Sequence, residues 1–134
     1  MNKEIIIDAK GAILGRLASF AAKQALIGKN VIVVNCQEAL ITGKAKSVIE
    51  DYRKARKKGG ANLRGPYFPK HPEKIVKRTI RGMLAHRQTR GAEALKRIRC
   101  YNDLPEKYLE AGKILAGKEK NTKTISLLEL SREI

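Results

Sequence analysis

The chain has 134 residues, of which 43% are apolar, only 4% are aromatic and none is Trp, and it carries a formal net charge of +16. That length supports one core built mainly from Ile, Leu, Val and Ala and leaves no room for two large domains, so residues 1–134 are read as a single layered α/β domain. Such a charge repels itself unless a polyanion neutralises it; nucleic acid is the expected partner, because apolar runs such as Val31–Val34 are far shorter than the roughly 18 residues that a membrane span requires.

The elements follow in chain order. Met1-Asn2-Lys3-Glu4 leads at once into a β-like run without a basic stretch and long apolar segment, so a cytoplasmic location is expected. Ile5-Ile6-Ile7 is a β-branched run with little alternation, which suits a strand covered on both faces. After the turn residue Gly11, Leu14, Leu17, Ala18, Ala21, Ala25 and Leu26 recur at helical spacing, and Arg16, Ser19 and Lys23 share the opposite face. Gly28 is placed to end that helix. Val31–Val34 then supplies a second buried run, and a single connecting helix predicts that the two runs lie side by side and parallel.

Ala39-Leu40-Ile41-Thr42 precedes Gly43 and a helix over residues 44–57, with Val48, Ile49, Tyr52 and Ala55 on its apolar side and a basic opposite face. Pro66, Pro69 and Pro72 fix φ at every third position and exclude regular helix between residues 59 and 72. Pro72 suits the first turn of a third helix reaching Leu84. Residues 91–97 read as a short helical turn, Ile98, Cys100 and Tyr101 as a strand, and residues 106–116 as a helix in a helical tail over 103–134. Ser126-Leu127-Leu128-Glu129 is a capping box opening a last helical turn.

Charge is concentrated in the middle of the chain. From Tyr52 to Asn102 there are 16 Lys and Arg against two acids, Glu73 and Glu93, whereas outside that window 13 basic residues face 11 acidic ones. The excess therefore belongs to one segment, residues 52–102, which reads as a binding region on an otherwise neutral fold. Projected at 100° per residue, Lys74, Lys77, Arg78 and Arg81 form one stripe of the third helix. Ile75, Val76, Thr79, Ile80 and Met83 form the opposite stripe and should pack on the sheet. In the loop before it, Arg64, Tyr67, Lys70 and His71 combine cations, planar side chains and a stiff backbone, a mixture suited to RNA phosphates, 2′-hydroxyls and unpaired bases. Lys44, Lys46, Arg53, Arg56 and Lys57 on the second helix, with His86, Arg87 and Arg90 after the third, complete the expected RNA-binding set.

Catalytic and cofactor chemistry finds little support. Gly11-Ala12-Ile13-Leu14-Gly15-Arg16 stands at a strand-to-helix turn but has neither the G-x-G-x-x-G nor the G-x-x-x-x-G-K-[ST] spacing that phosphate cradles need. A small nucleotide-binding enzyme using that turn is the runner-up reading. His71 and His86 lie among cations with no Asp or Cys pattern of a triad, and no carboxylates pair at metal-site spacing. Cys36 and Cys100 lack ligand spacing and read as buried reduced thiols. No cofactor, metal or small-molecule substrate is expected.

Ile13-Leu14-Gly15-Arg16-Leu17-Ala18, Val31-Ile32-Val33-Val34-Asn35 and Ile41-Thr42-Gly43 resemble the N-terminal half of the large ribosomal subunit protein thirteen family. Arg64-Gly65-Pro66-Tyr67 and Val76-Lys77-Arg78-Thr79-Ile80-Arg81-Gly82-Met83-Leu84 are similar to its most recognisable stretch. Gly91, Ala94-Leu95, Ile98 and Tyr101-Asn102 follow at the expected interval. The likeness covers roughly residues 5 to 108 and is nearer to the archaeal and eukaryotic branch; Ala85 departs from the usual Pro or Ser. The resemblance implies a three-layer α/β/α fold with a small, mostly parallel sheet and a basic Gly/Pro-rich loop. It also implies a structural place in the cytoplasmic ribosome, with large-subunit rRNA and neighbouring large-subunit proteins as partners and a part in early subunit assembly.

Overall fold

The computed structural model describes residues 4–57, 69–105, 114–115 and 123–134. The β-branched run forms β1 (Glu4–Asp8), and the second run forms β2 (Asn30–Val34). They pair in parallel with Ile6 opposite Ile32 and Ile7 opposite Val33, the arrangement expected of a single-helix crossover. That helix, α1 (Leu14–Ile27), buries Leu14, Leu17, Ala18, Ala21, Ala22 and Ala25. Leu26, expected on the buried stripe, is 36% exposed, because the face turned to the core is the one that carries the small Ala22. Gly28 ends the helix at φ +112°, with its N–H donating to the Ala25 carbonyl. A left-handed residue at this position lets terminal carbonyls find partners, and Arg97 adds one by donating to the Ala25 carbonyl at 2.9 Å.

A 3₁₀ turn at Cys36–Glu38 follows β2. Asn35 enters it at φ +58°, a region Asn adopts more readily than most residues, and its Nδ2 donates to Asp8 Oδ1 at 3.0 Å. The chain continues through β3 (Leu40–Thr42), α2 (Ala45–Lys57), α3 (Pro72–Gly82), α4 (Thr89–Lys96), β4 (Ile98–Cys100), β5 (Ile114–Leu115), β6 (Thr124–Ser126) and α5 (Leu127–Glu133). The main sheet has the order β4-β2-β1-β5 and is parallel throughout; β3 and β6 form a separate antiparallel pair.

Two of these elements correct the reading of the tail. Ile114–Leu115, expected inside a helix over 106–116, instead extends the sheet as a strand beside β1, and Thr124–Ser126 is strand as well. A lone strand gains backbone partners only when the fold brings an edge to it, so local periodicity could not show this. The capping box is present: Ser126 Oγ accepts from the Glu129 N–H at 3.2 Å and starts α5. The Gly/Pro-rich loop before Pro69 and the rest of the 106–116 segment lie outside the described residues.

Side-chain alternation sends the two faces of the sheet to different covers. Ile7, Val31, Val33 and Ile98 join residues of all five helices in one core cluster, while Ile6, Ile32 and Val34 meet Tyr101 and Leu104 on the opposite face. The fold is thus α/β with a small, mostly parallel sheet, and among the described residues the helices gather on one side of it.

Candidate nucleic-acid interface

Helix α3 carries the densest part of the basic segment, and the way it is held decides which cations face outward. Pro72 opens it, and the Glu73 N–H, left over at the helix start, donates to Asn102 Oδ1 at 2.9 Å. An Asn from beyond β4 thereby supplies the cap that His71 does not. Ile75, Val76 and Ile80 are buried, and α3 packs on α1, on β4 and on the 3₁₀ turn. Thr79 is half-buried and donates its hydroxyl to the Ile75 carbonyl at 2.9 Å. Met83, expected on the apolar stripe, is 45% exposed. The helix stops at Gly82, and the turn after it swings Leu84 into the core instead.

The four cations of the stripe separate into two kinds. Lys74 and Arg81 are exposed, whereas Lys77 and Arg78 are partly buried. Lys77 Nζ donates to the backbone carbonyl of Ile98 on the edge strand β4. This corrects the expectation that all four point outward: the amphipathic projection places Lys77 on the basic side, yet its long stem reaches back over the strand. Arg53, half-exposed, also makes a contact within the fold. Its Nε donates to the Glu133 carbonyl at 2.8 Å, and its guanidinium lies 3.7 Å from the Glu133 carboxylate, so it joins α2 to α5.

Lys44, Lys46, Lys70, His71, His86, Arg87 and Arg90 are exposed. The turn joining α3 to α4 presents His86 and Arg87, the first turn of α4 presents Arg90, and the course of both depends on Gly91. A β-carbon there would lie 1.9 Å from the Ala85 carbonyl oxygen, so the first turn of α4 can sit against the preceding backbone only without a side chain. Arg64 and Tyr67, and the side chains of Arg56 and Lys57, lie outside the described residues.

The structure brings part of this set together at a cleft of about 500 Å³ between α2 and α3, with Asp51, Tyr52, Ile75, Arg78, Arg81 and His86 on its walls. Burial pushes the Tyr52 hydroxyl above its ordinary pKa, so the phenol remains a hydrogen-bond donor there. A second cleft of about 320 Å³ opens beside β4, lined by Glu73, Lys74, Lys77, Arg99 and Cys100. Arg99 is exposed and was missed in the sequence. The available signal was the alternation Ile98-Arg99-Cys100, which must turn Arg99 away from the helices if Ile98 faces them.

The strand-to-helix turn offers no phosphate cradle. The Gly11 N–H donates to the Glu38 carbonyl and the Ala12 N–H to Ala9, so these amides are already engaged, and Leu14 is buried at the start of α1. Among the described residues no three His, Cys, Asp or Glu side chains are grouped to hold a metal, and no helix is long and apolar enough to cross a membrane.

A parallel α/β core carrying an excess of exposed cations on the helix and turn outside it defines a class, that of small basic scaffold proteins. The profile of the family described as "Ribosomal protein L13" matches residues 2–107. The chain is 44% identical over 133 residues to the large ribosomal subunit protein uL13 of Archaeoglobus fulgidus, covering 95% of this chain and 85% of that one. With the uL13 protein of Haloarcula marismortui it shares 42% identity over 99% of its own length and 92% of the relative's. The uL13 protein of Methanocaldococcus jannaschii is 44% identical over 96% of each chain. The chain belongs to the ribosomal protein L13 family, whose members are structural proteins of the ribosome and not enzymes.

Proposed function

We propose that the chain acts as a single domain and a structural constituent of the large ribosomal subunit in the cytoplasm, binding large-subunit rRNA and contributing to early assembly beside neighbouring large-subunit proteins. One observation carries this reading: α3 is anchored on one side by Ile75, Val76 and Ile80 in the core, while Lys74 and Arg81, followed by His86, Arg87 and Arg90 in the next turn and helix, are exposed on the other. Cations on a rigid helix can track phosphates without the entropy cost of ordering a loop. Lys44, Lys46, Lys70 and His71 extend that surface, with Arg56, Lys57, Arg64 and Tyr67 as further contacts, Arg78 on the wall of the cleft beside Tyr52, and Lys77 and Arg53 also fixing the elements that carry it. Arg and Lys on this surface position the protein on the RNA backbone, and base contacts would come from the cleft beside Tyr52 and from Tyr67.

The test is the doubly substituted K74A/R81A chain, measured for binding to large-subunit rRNA at several salt concentrations. Each lost phosphate contact should flatten the log-log salt dependence by up to about one unit, with thermal stability unchanged. An unchanged slope and unchanged incorporation into the large subunit would remove α3 from the RNA surface.

A further inference from the structure

Cys36 and Cys100 are 64 positions apart in the sequence, yet Cys36 belongs to the same core cluster that Cys100 packs against. The backbone fixes this meeting. Cys100 is opposite Val33 in the β2–β4 register, and Cys36 Sγ lies 3.8 Å from the carbonyl of that same Val33. The Cys36 N–H donates to the Tyr101 carbonyl at 3.1 Å, and the Tyr101 N–H donates to Val33 at 2.8 Å, so the residues on both sides of the thiol pair are tied. Both cysteines are free. Cys36 is fully buried, while Cys100 is partly exposed and forms a wall of the 320 Å³ cleft, where the three cations Lys74, Lys77 and Arg99 outnumber the single acid Glu73 and leave it net cationic.

We propose that Cys36 and Cys100 form a reversible intramolecular disulfide, made by exchange with a small anionic disulfide that enters the cationic cleft. In the first step the Cys100 sulfur attacks the small disulfide, whose S–S bond breaks; one half stays on Cys100, and the other leaves as a thiol carrying the proton that Cys100 loses. In the second, Cys36 attacks the Cys100 sulfur and releases the remaining half as a thiol with the Cys36 proton. The protein is oxidised by two electrons, and the small disulfide is reduced to two thiols. Accessibility sets the order, since only Cys100 meets the cleft. The new bond would join the edge strand β4 to the 3₁₀ turn and close a ring containing α2, α3 and α4. It would therefore lock the strand to which α3 is anchored through Lys77 and Asn102.

The experiment treats the full chain in its native state with glutathione disulfide and maps the products by peptide mass. The expected result is a linked pair of peptides containing Cys36 and Cys100, with both thiols lost together to maleimide labelling and recovered with dithiothreitol. The C36S chain should stop at a glutathione adduct on Cys100, and the C100S chain should form an adduct at least ten-fold more slowly. The mapping of the unsubstituted chain is decisive by itself should either variant fail to fold. A persistent adduct on Cys100 beside a free Cys36, disulfides only between chains, or two thiols that stay unreactive until the protein unfolds would each overturn the proposal.

Discussion

Gly91→Ala tests the packing of the turn and the start of α4, which together present His86, Arg87 and Arg90. The added β-carbon would meet three atoms of one residue, the Ala85 carbonyl oxygen at 1.9 Å, its carbonyl carbon at 2.2 Å and its Cα at 2.9 Å. All are backbone, so no rotamer change relieves them, and the two segments must separate by about 1 Å before the contact is tolerable. Helix α4 packs on α1 and β4, so the displacement spreads into the core. Overpacking of this kind costs about 3 kcal/mol, against which the helix propensity of Ala over Gly returns only about 1 kcal/mol. A net loss of about 2 kcal/mol should lower the melting temperature by roughly 4 to 10 °C for a domain of this size. Gly15→Ala is the control: it lies in α1, is exposed, and a β-carbon there meets nothing within 4 Å, so it should be neutral or stabilising by up to about 1 kcal/mol. Thermal melts followed by circular dichroism measure both. Equal melting temperatures for the two variants would refute the steric argument.

Ile80 is fully buried in α3, so Ile80→Ala should cost about 2 to 5 kcal/mol through a core cavity, read as a lower urea midpoint; a shift of under half a molar would place Ile80 outside the core. Ser126→Ala removes the oxygen that accepts from the Glu129 N–H and should cost about 1 kcal/mol, visible in the same urea titration, and a threonine at that position should restore most of it. Stability should also fall on the alkaline side. The Cys36 thiol is raised from its ordinary value of 9.0, first by its hydrogen bond to Cys100 and then by burial, and Tyr52 is raised from 10.0 by burial. Both hold their protons more tightly folded than unfolded, so their contribution is complete below about pH 9 and is lost as the pH rises from there toward the folded values. Urea midpoints at pH 8 and 10.5 check the direction; a Cys36→Ala, Tyr52→Phe chain should lose less between the two, and an equal loss would show that these groups do not set the slope.

The amino-acid sequence by itself determined the strands and helices whose periodicity is local. Three consecutive isoleucines, the alanine-rich stripe of α1 and the stop at Gly28 define β1, α1 and the parallel crossover, because burial of one face and the backbone freedom of glycine act over a few residues. The basic surface was legible too, since a run with 16 cations against two acids has to find a polyanion wherever it is displayed. What only the tertiary structure decided depends on groups far apart in the chain. Lys77 and Lys74 read alike on a helical projection, but Lys77 donates to the Ile98 carbonyl of β4 while Lys74 is exposed. Arg53 finds its partner Glu133 only because α5 arrives beside it, 80 residues on. Ile114–Leu115 has strand character only because β1 offers it an edge. Cys36 and Cys100 became neighbours through the β2–β4 register. A side chain's chemistry follows from its type, but its partner follows from which distant backbone the fold sets beside it, and no local pattern carries that information.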